Sequence, residues 1–189
     1  MTGAQLGAEA ARRLFTRHRH VAPGLTDAEF DRVEERYGIT FADDHRAFLG
    51  TGLPLGNDRW PDWRNGDPSG LRAKLDGPVE GVLFDVGTFY WHRDWGERPA
   101  RTAAAVELAR EHLAEVPRLV PVYSHRYLPP GRGTSGHPVL SVYQTDIIYY
   151  GTDLLDYVYQ EFGAGPGIER TDPAWQPTAT VPFWRDFLE

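Results

Sequence analysis

The stretch Pro138-Val139-Leu140-Ser141-Val142-Tyr143-Gln144-Thr145-Asp146-Ile147-Ile148-Tyr149-Tyr150-Gly151 decides the fold of this chain. It holds two runs, Val139–Tyr143 and Ile147–Tyr150, rich in β-branched and aromatic residues that suit a pleated surface. They meet at Gln144-Thr145, with Asp146 placed so that its carboxylate can accept backbone N–H groups in a turn. The stretch reads as a core hairpin or bent strand. Two more strand signals precede it, Leu119–Tyr123 and His125–Leu128, and Pro121 marks the first as an edge strand or a bulge. Gly151 breaks the run, and a helix over 153–162 follows with Leu154, Leu155, Val158 and Phe162 inward.

Towards the N-terminus the pattern turns helical. Residues 102–116 place Val106, Ala109, Leu113 and Val116 on one stripe, and Pro117 ends it. Residues 78–87 fit either element. Val79, Val82, Leu83 and Val86 have helical spacing, with Pro78 at the first helical position and Gly87 at the stop, whereas Val82, Phe84 and Val86 alternate like a strand. Helix is the preferred reading, with Phe89-Tyr90-Trp91-His92 a short strand after it. Residues 50–68 read as a long ordered loop. Before the loop come a short helix over 42–49 and a helix opened by Thr26-Asp27-Ala28-Glu29, a capping box. Phe30, Val33 and Tyr37 share a face of that helix, and Gly38 suits a left-handed cap. A basic first helix is expected over 8–19. At the other end Gly163–Pro173 looks like a linker, and the tail 174–189, with Trp175, Val181, Phe183, Trp184, Phe187 and Leu188, should dock on the body. No internal repeat divides the 189 residues, so one α+β domain is expected, with helices packed on a mainly antiparallel or mixed sheet.

Composition narrows the function. With no cysteine, disulfides, thiolate metal sites and cysteine nucleophiles are excluded. No apolar run approaches the ~20 residues of a membrane helix, and no secretory signal opens the chain, so a cytoplasmic location is expected. Lys74 is the one lysine among twenty basic residues, a bias that suits a GC-rich bacterial genome. Net charge is −7; residues 1–20 carry four Arg against one Glu, which leaves −10 for the rest. Such a body repels nucleic acid phosphates and suits a basic protein partner, or simply keeps the chain soluble.

The chemical motifs fail one by one. Gly131-Arg132-Gly133-Thr134-Ser135-Gly136 has dinucleotide-loop spacing but lies between Pro129-Pro130 and Pro138, without the strand before and helix after that the phosphate site needs. His92-Arg93-Asp94 copies three letters of a kinase loop whose other elements are missing. His92, His125 and His137 lack ligand-pair spacing, and no Ser sits in a nucleophile elbow. No catalytic residue, cofactor or metal site is expected. A small hydrolase using buried carboxylates or His125 is the least favoured alternative.

The 138–151 phrase, with Asp153-Leu154-Leu155-Asp156-Tyr157 and Glu161-Phe162 after it, resembles the SUKH superfamily. So do Leu119-Val120-Pro121-Val122-Tyr123 with His125-Arg126-Tyr127-Leu128, Leu25–Glu29, Phe41–Leu49, and Trp91 with Trp95-Gly96. The resemblance spans roughly residues 25–162. Gly87-Thr88-Phe89-Tyr90 departs from it, since a more acidic turn would be expected there. The resemblance implies a non-catalytic protein-binding module: an immunity protein that neutralises a toxin domain, or a regulator of cell-wall or signalling pathways. For the binding surface, the sequence points to the loops at 50–68 and 91–98. Trp60, Asp62, Trp63 and Arg64 lie in one, Trp91, Asp94 and Trp95 in the other. Trp and Arg favour interface centres. The competing reading is that these rings plug the core.

Overall fold

In the computed structural model, which describes residues 1–164 and 180–188, the C-terminal half forms one antiparallel sheet in the order β3-β4-β5-β6. Its strands are β3 (Val120–Tyr123), β4 (Arg126–Leu128), β5 (Val139–Tyr143) and β6 (Asp146–Gly151). Strand alternation sends neighbouring residues to opposite faces. Val120, Leu128 and Val139 enter one apolar core, while Leu119, Tyr127, Leu140, Val142 and Ile147 enter a second. Pro121 satisfies both expectations made of it: β3 is an edge strand, and its register with β4 shifts between Pro121 and Tyr123, leaving Val122 as the extra residue of a bulge.

The first core is closed by α1 (Gly3–Phe15), α2 (Asp27–Tyr37), α3 (Asp43–Thr51) and α6 (Leu154–Phe162). The second is closed by α5 (Thr102–Leu113), the end of α4 (Pro68–Val86) and a 3-10 turn at Trp184–Phe187. Six helices and two antiparallel sheets among the described residues make this an α+β fold.

The capping box at Thr26 forms as expected, with Thr26 N–H on Glu29 and Glu29 N–H on the Thr26 hydroxyl, and Gly38 takes the left-handed cap at φ 63°. A second capping box, Thr2 with Gln5, starts α1 at Gly3, and the helix ends at Phe15, where 8–19 was expected. The short helix expected over 42–49 runs from Asp43 to Thr51, with Ala42 as its extended N-cap, and the 50–68 loop contains β2 (Leu53–Pro54), which pairs with β1 (Val21–Ala22).

Residues 78–86 are helical and Gly87 is the stop, but they form the second half of α4 and not a helix of their own. Pro68, not Pro78, holds the first position, where Asp67 caps. Pro78 lies inside the helix and cannot donate to the carbonyl four residues back. That carbonyl, of Lys74, accepts the Tyr127 hydroxyl at 3.0 Å instead. Phe89–His92 is not a strand. The Asp85 carbonyl accepts the amides of Thr88, Phe89 and Tyr90, which folds the chain back over the end of α4 and leaves no ladder.

The tail docks where it is described. Trp184 is fully buried in the second core, and its Nε1–H donates to the Pro117 carbonyl at 2.7 Å. Trp175 and most of the expected linker lie outside the described residues.

Candidate functional site

The structure turns three of the four candidate Trp rings inward. Trp60 packs between Tyr123 and Phe162, with ring centroids 4.5 and 5.5 Å away. Trp63 meets Tyr37 and Phe41 edge to face, and Trp95 stacks between His112 and Phe183. Trp91 is half-buried, with Nε1–H on the Gly96 carbonyl. Trp60, Trp63 and Trp95 thus plug the core beneath their loops, while Trp91 is only partly enclosed.

The polar candidates beside them are mostly engaged. Arg64 forks onto Glu29, Nε to Oε1 at 2.5 Å and Nη2 to Oε2 at 3.1 Å, and also donates to the Pro23 and Gly24 carbonyls. The Arg64 guanidinium pulls the Glu29 carboxyl down to about 2. Asp62 accepts the amides of Arg64 and Asn65 in a turn. Asp94 alone of the seven is widely exposed.

The three histidines stay apart in their contacts. His125 Nδ1 lies 3.2 Å from the Ser124 hydroxyl, while His137 is buried in the connector that meets α3. His92 sits with Asp94 and Asp186. The glycine-rich connector uses its amides on carboxylates of the chain itself: Gly133 N–H donates to Asp43 and Gly136 N–H to Asp44, at 3.0 and 2.8 Å. Its resemblance to a phosphate loop is thereby explained by an internal acceptor. A groove of about 590 Å³ between α4 and α5 has Val79, Leu113 and Val116 along it, and the charges on its walls are paired, Arg110 with Glu80 and Arg118 with Asp76.

The surface that remains was not read from the sequence. Among the described residues, the exposed large hydrophobics are Met1, Phe84, Phe89, Tyr143 and Ile148. Phe84, Phe89 and Tyr143 flank the junction of α4 with the β5–β6 turn, and Ile148 lies on the far face of the sheet. The Asp85 carboxylate accepts the amide and hydroxyl of Thr145, at 3.0 and 2.6 Å, and so pins the β5–β6 turn to the end of α4. Gly81 allows the close approach, since a Cβ there would stand 2.9 Å from the Gln144 Cα. Phe84 precedes Asp85, and the Phe89 amide is held on the Asp85 carbonyl. Tyr143 leads into the turn, and Ile148 lies opposite Ser141 on the sheet face away from the Val142–Ile147 pair. The available signal was an apolar residue off its stripe: Phe84 does not share the spacing of Val79, Val82, Leu83 and Val86.

No family model, curated protein or solved structure matches this chain. Among the described residues no helix is long and apolar enough to cross a membrane.

Proposed function

We propose that this chain is a non-catalytic protein-binding module that acts as a bacterial immunity protein, neutralising a basic toxin domain in the cytoplasm. The observation that carries a binding role is the exposure of Phe84, Phe89 and Tyr143 beside the β5–β6 turn that Asp85 holds. Exposed apolar surface of this kind marks sites of association. The toxin as partner rests on the resemblance to the SUKH superfamily and on the −10 carried by the chain beyond residue 20, which would speed encounter with a basic protein. The acidic body also makes nucleic acid an unfavourable partner.

Co-expression with the toxin encoded beside the gene tests this reading. Protected growth and a complex on size exclusion are expected. Undiminished killing with no complex would refute it, and a neighbourhood of wall-synthesis or signalling genes would favour the regulatory alternative. Within the complex, Tyr143→Asp combined with Phe84→Asp should weaken binding at least tenfold while leaving the melting temperature nearly unchanged, because both side chains are exposed. Unchanged affinity would remove this junction from the interface.

A further inference from the structure

His92, Asp94 and Asp186 come from two distant parts of the chain, yet one ligand atom from each lies within 4.8 Å of the others. The imidazole is buried against Trp95 and Phe183, its side chain only 8% exposed. Its Nε2 is shut off from solvent and forms no hydrogen bond, although Asp186 Oδ2 stands 3.3 Å away. A nitrogen and an oxygen bound to the same tetrahedral ion at about 2.0–2.2 Å are separated by about 3.3 Å. From this geometry we infer that His92, Asp94 and Asp186 form a divalent transition-metal site, for which zinc is the natural occupant.

The surroundings decide what such a site would hold. One imidazole with two carboxylates favours zinc over magnesium or calcium, which prefer all-oxygen shells. Asp94 is 73% exposed and its Oδ2 lies 4.0 Å from Nδ1, so this mobile carboxylate would turn towards Nε2 to meet the ion, and water would complete the coordination. Arg93 Nη2 and Arg185 Nε both lie 3.8 Å from Asp186 Oδ1, the oxygen that does not face His92. Those arginines oppose a cation, but both are largely exposed and screened by solvent. The Asp94 amide stands 3.3 Å from His92 Nδ1, which places the ring proton on Nε2 before loading. Binding moves that proton to Nδ1 and gives up this already long contact. The loaded site would staple the 3-10 turn at Trp184–Phe187 to the loop after α4.

Zinc titration of the full chain, stripped with chelator beforehand, is read by calorimetry and by the shift in melting temperature. One saturable site is expected, together with a rise in melting temperature on loading. Asp94→Asn, an exposed change that spares the fold, and Asp186→Asn should each lower zinc affinity at least tenfold and abolish the thermal shift. His92→Gln should do the same. His18→Ala with His20→Ala, which removes the half-buried His18 and the exposed His20, whose rings lie 6.3 Å apart, should leave this site intact. The inference fails if no saturable binding is seen. It also fails if Asp94→Asn and Asp186→Asn bind zinc as the parent does, or if the signal disappears with His18 and His20.

Discussion

Trp63 is enclosed by Tyr37 and Phe41, both edge to face, and is 4% exposed. Removing such a ring leaves a cavity as well as lost transfer energy. Trp63→Ala should therefore cost about 3–5 kcal/mol and lower the melting temperature by several degrees or more. An unchanged melting curve would return this ring to the surface. His45, fully buried at 1% exposure against Phe41, is governed by the same enclosure. Burial pushes its pKa from 6.5 down to about 3, so the folded chain keeps it neutral where the unfolded chain charges it. The unfolded state then binds the extra proton, and this contribution to stability, complete above pH 6.5, is lost as pH falls, with a slope approaching about 1.4 kcal/mol per pH unit. Asp44 next to it acts in the opposite sense, because burial raises its carboxyl. The histidine's part is isolated by its own substitution, which leaves Asp44 in place. Melting curves of His45→Leu below pH 6.5 should be flatter than those of the parent; parallel curves would mean another group controls the acid limb.

At the scale of elements, α1 and α3 cross so closely that a Cβ on Gly7 would lie 1.9 Å from the Asp44 carbonyl oxygen. Helix propensity alone says Gly7→Ala adds about 1 kcal/mol of stability. The crossing says the opposite, and the sign measured by denaturant unfolding separates the two; a destabilised variant is expected. Helix α4 shows why some elements were legible and others were not. Its C-terminal apolar spacing is local, as are the Thr26 box and the β5–β6 run, and each is visible within about ten residues of sequence. The passage of α4 through Pro78 is not local: it depends on Tyr127, 53 residues from the carbonyl it satisfies. The two-residue strands β1 and β2 are similarly defined only by each other. Tyr127→Phe should remove the hydrogen bond on the part-buried Lys74 carbonyl, costing about 1 kcal/mol. Burial pushes the Tyr127 hydroxyl up to about 12, so it stays a donor across the ordinary pH range. A neutral effect on stability would mean water replaces it.

Over the whole molecule, the sheet separates two cores, and α4 takes part in both, with Leu71 and Leu75 in the first and Val82, Leu83 and Val86 in the second. The α+β class and the antiparallel hairpin were legible because strand alternation is written in the chain. The candidate surface was not, because composition marks Trp as equally suited to a core and to an interface, and only packing separates them. Of the tail, the burial of Phe183 and Trp184 was legible, since such apolar side chains would otherwise meet water. Their place in the second core has an energetic consequence. Trp184 is fully buried among the residues of that core and supplies the Pro117 carbonyl with a hydrogen bond. Trp184→Ala should cost about 3–5 kcal/mol. The loss should be uneven, because the first core is built from α1, α2, α3, α6 and the start of α4 and contains no tail residue among those described. Native-state hydrogen exchange reads this directly. Amides of α5 and the end of α4 should lose protection in Trp184→Ala by more than those of α1 and α3. Equal loss across both cores would mean that the sheet couples them into one cooperative unit, with the tail stabilising the whole chain.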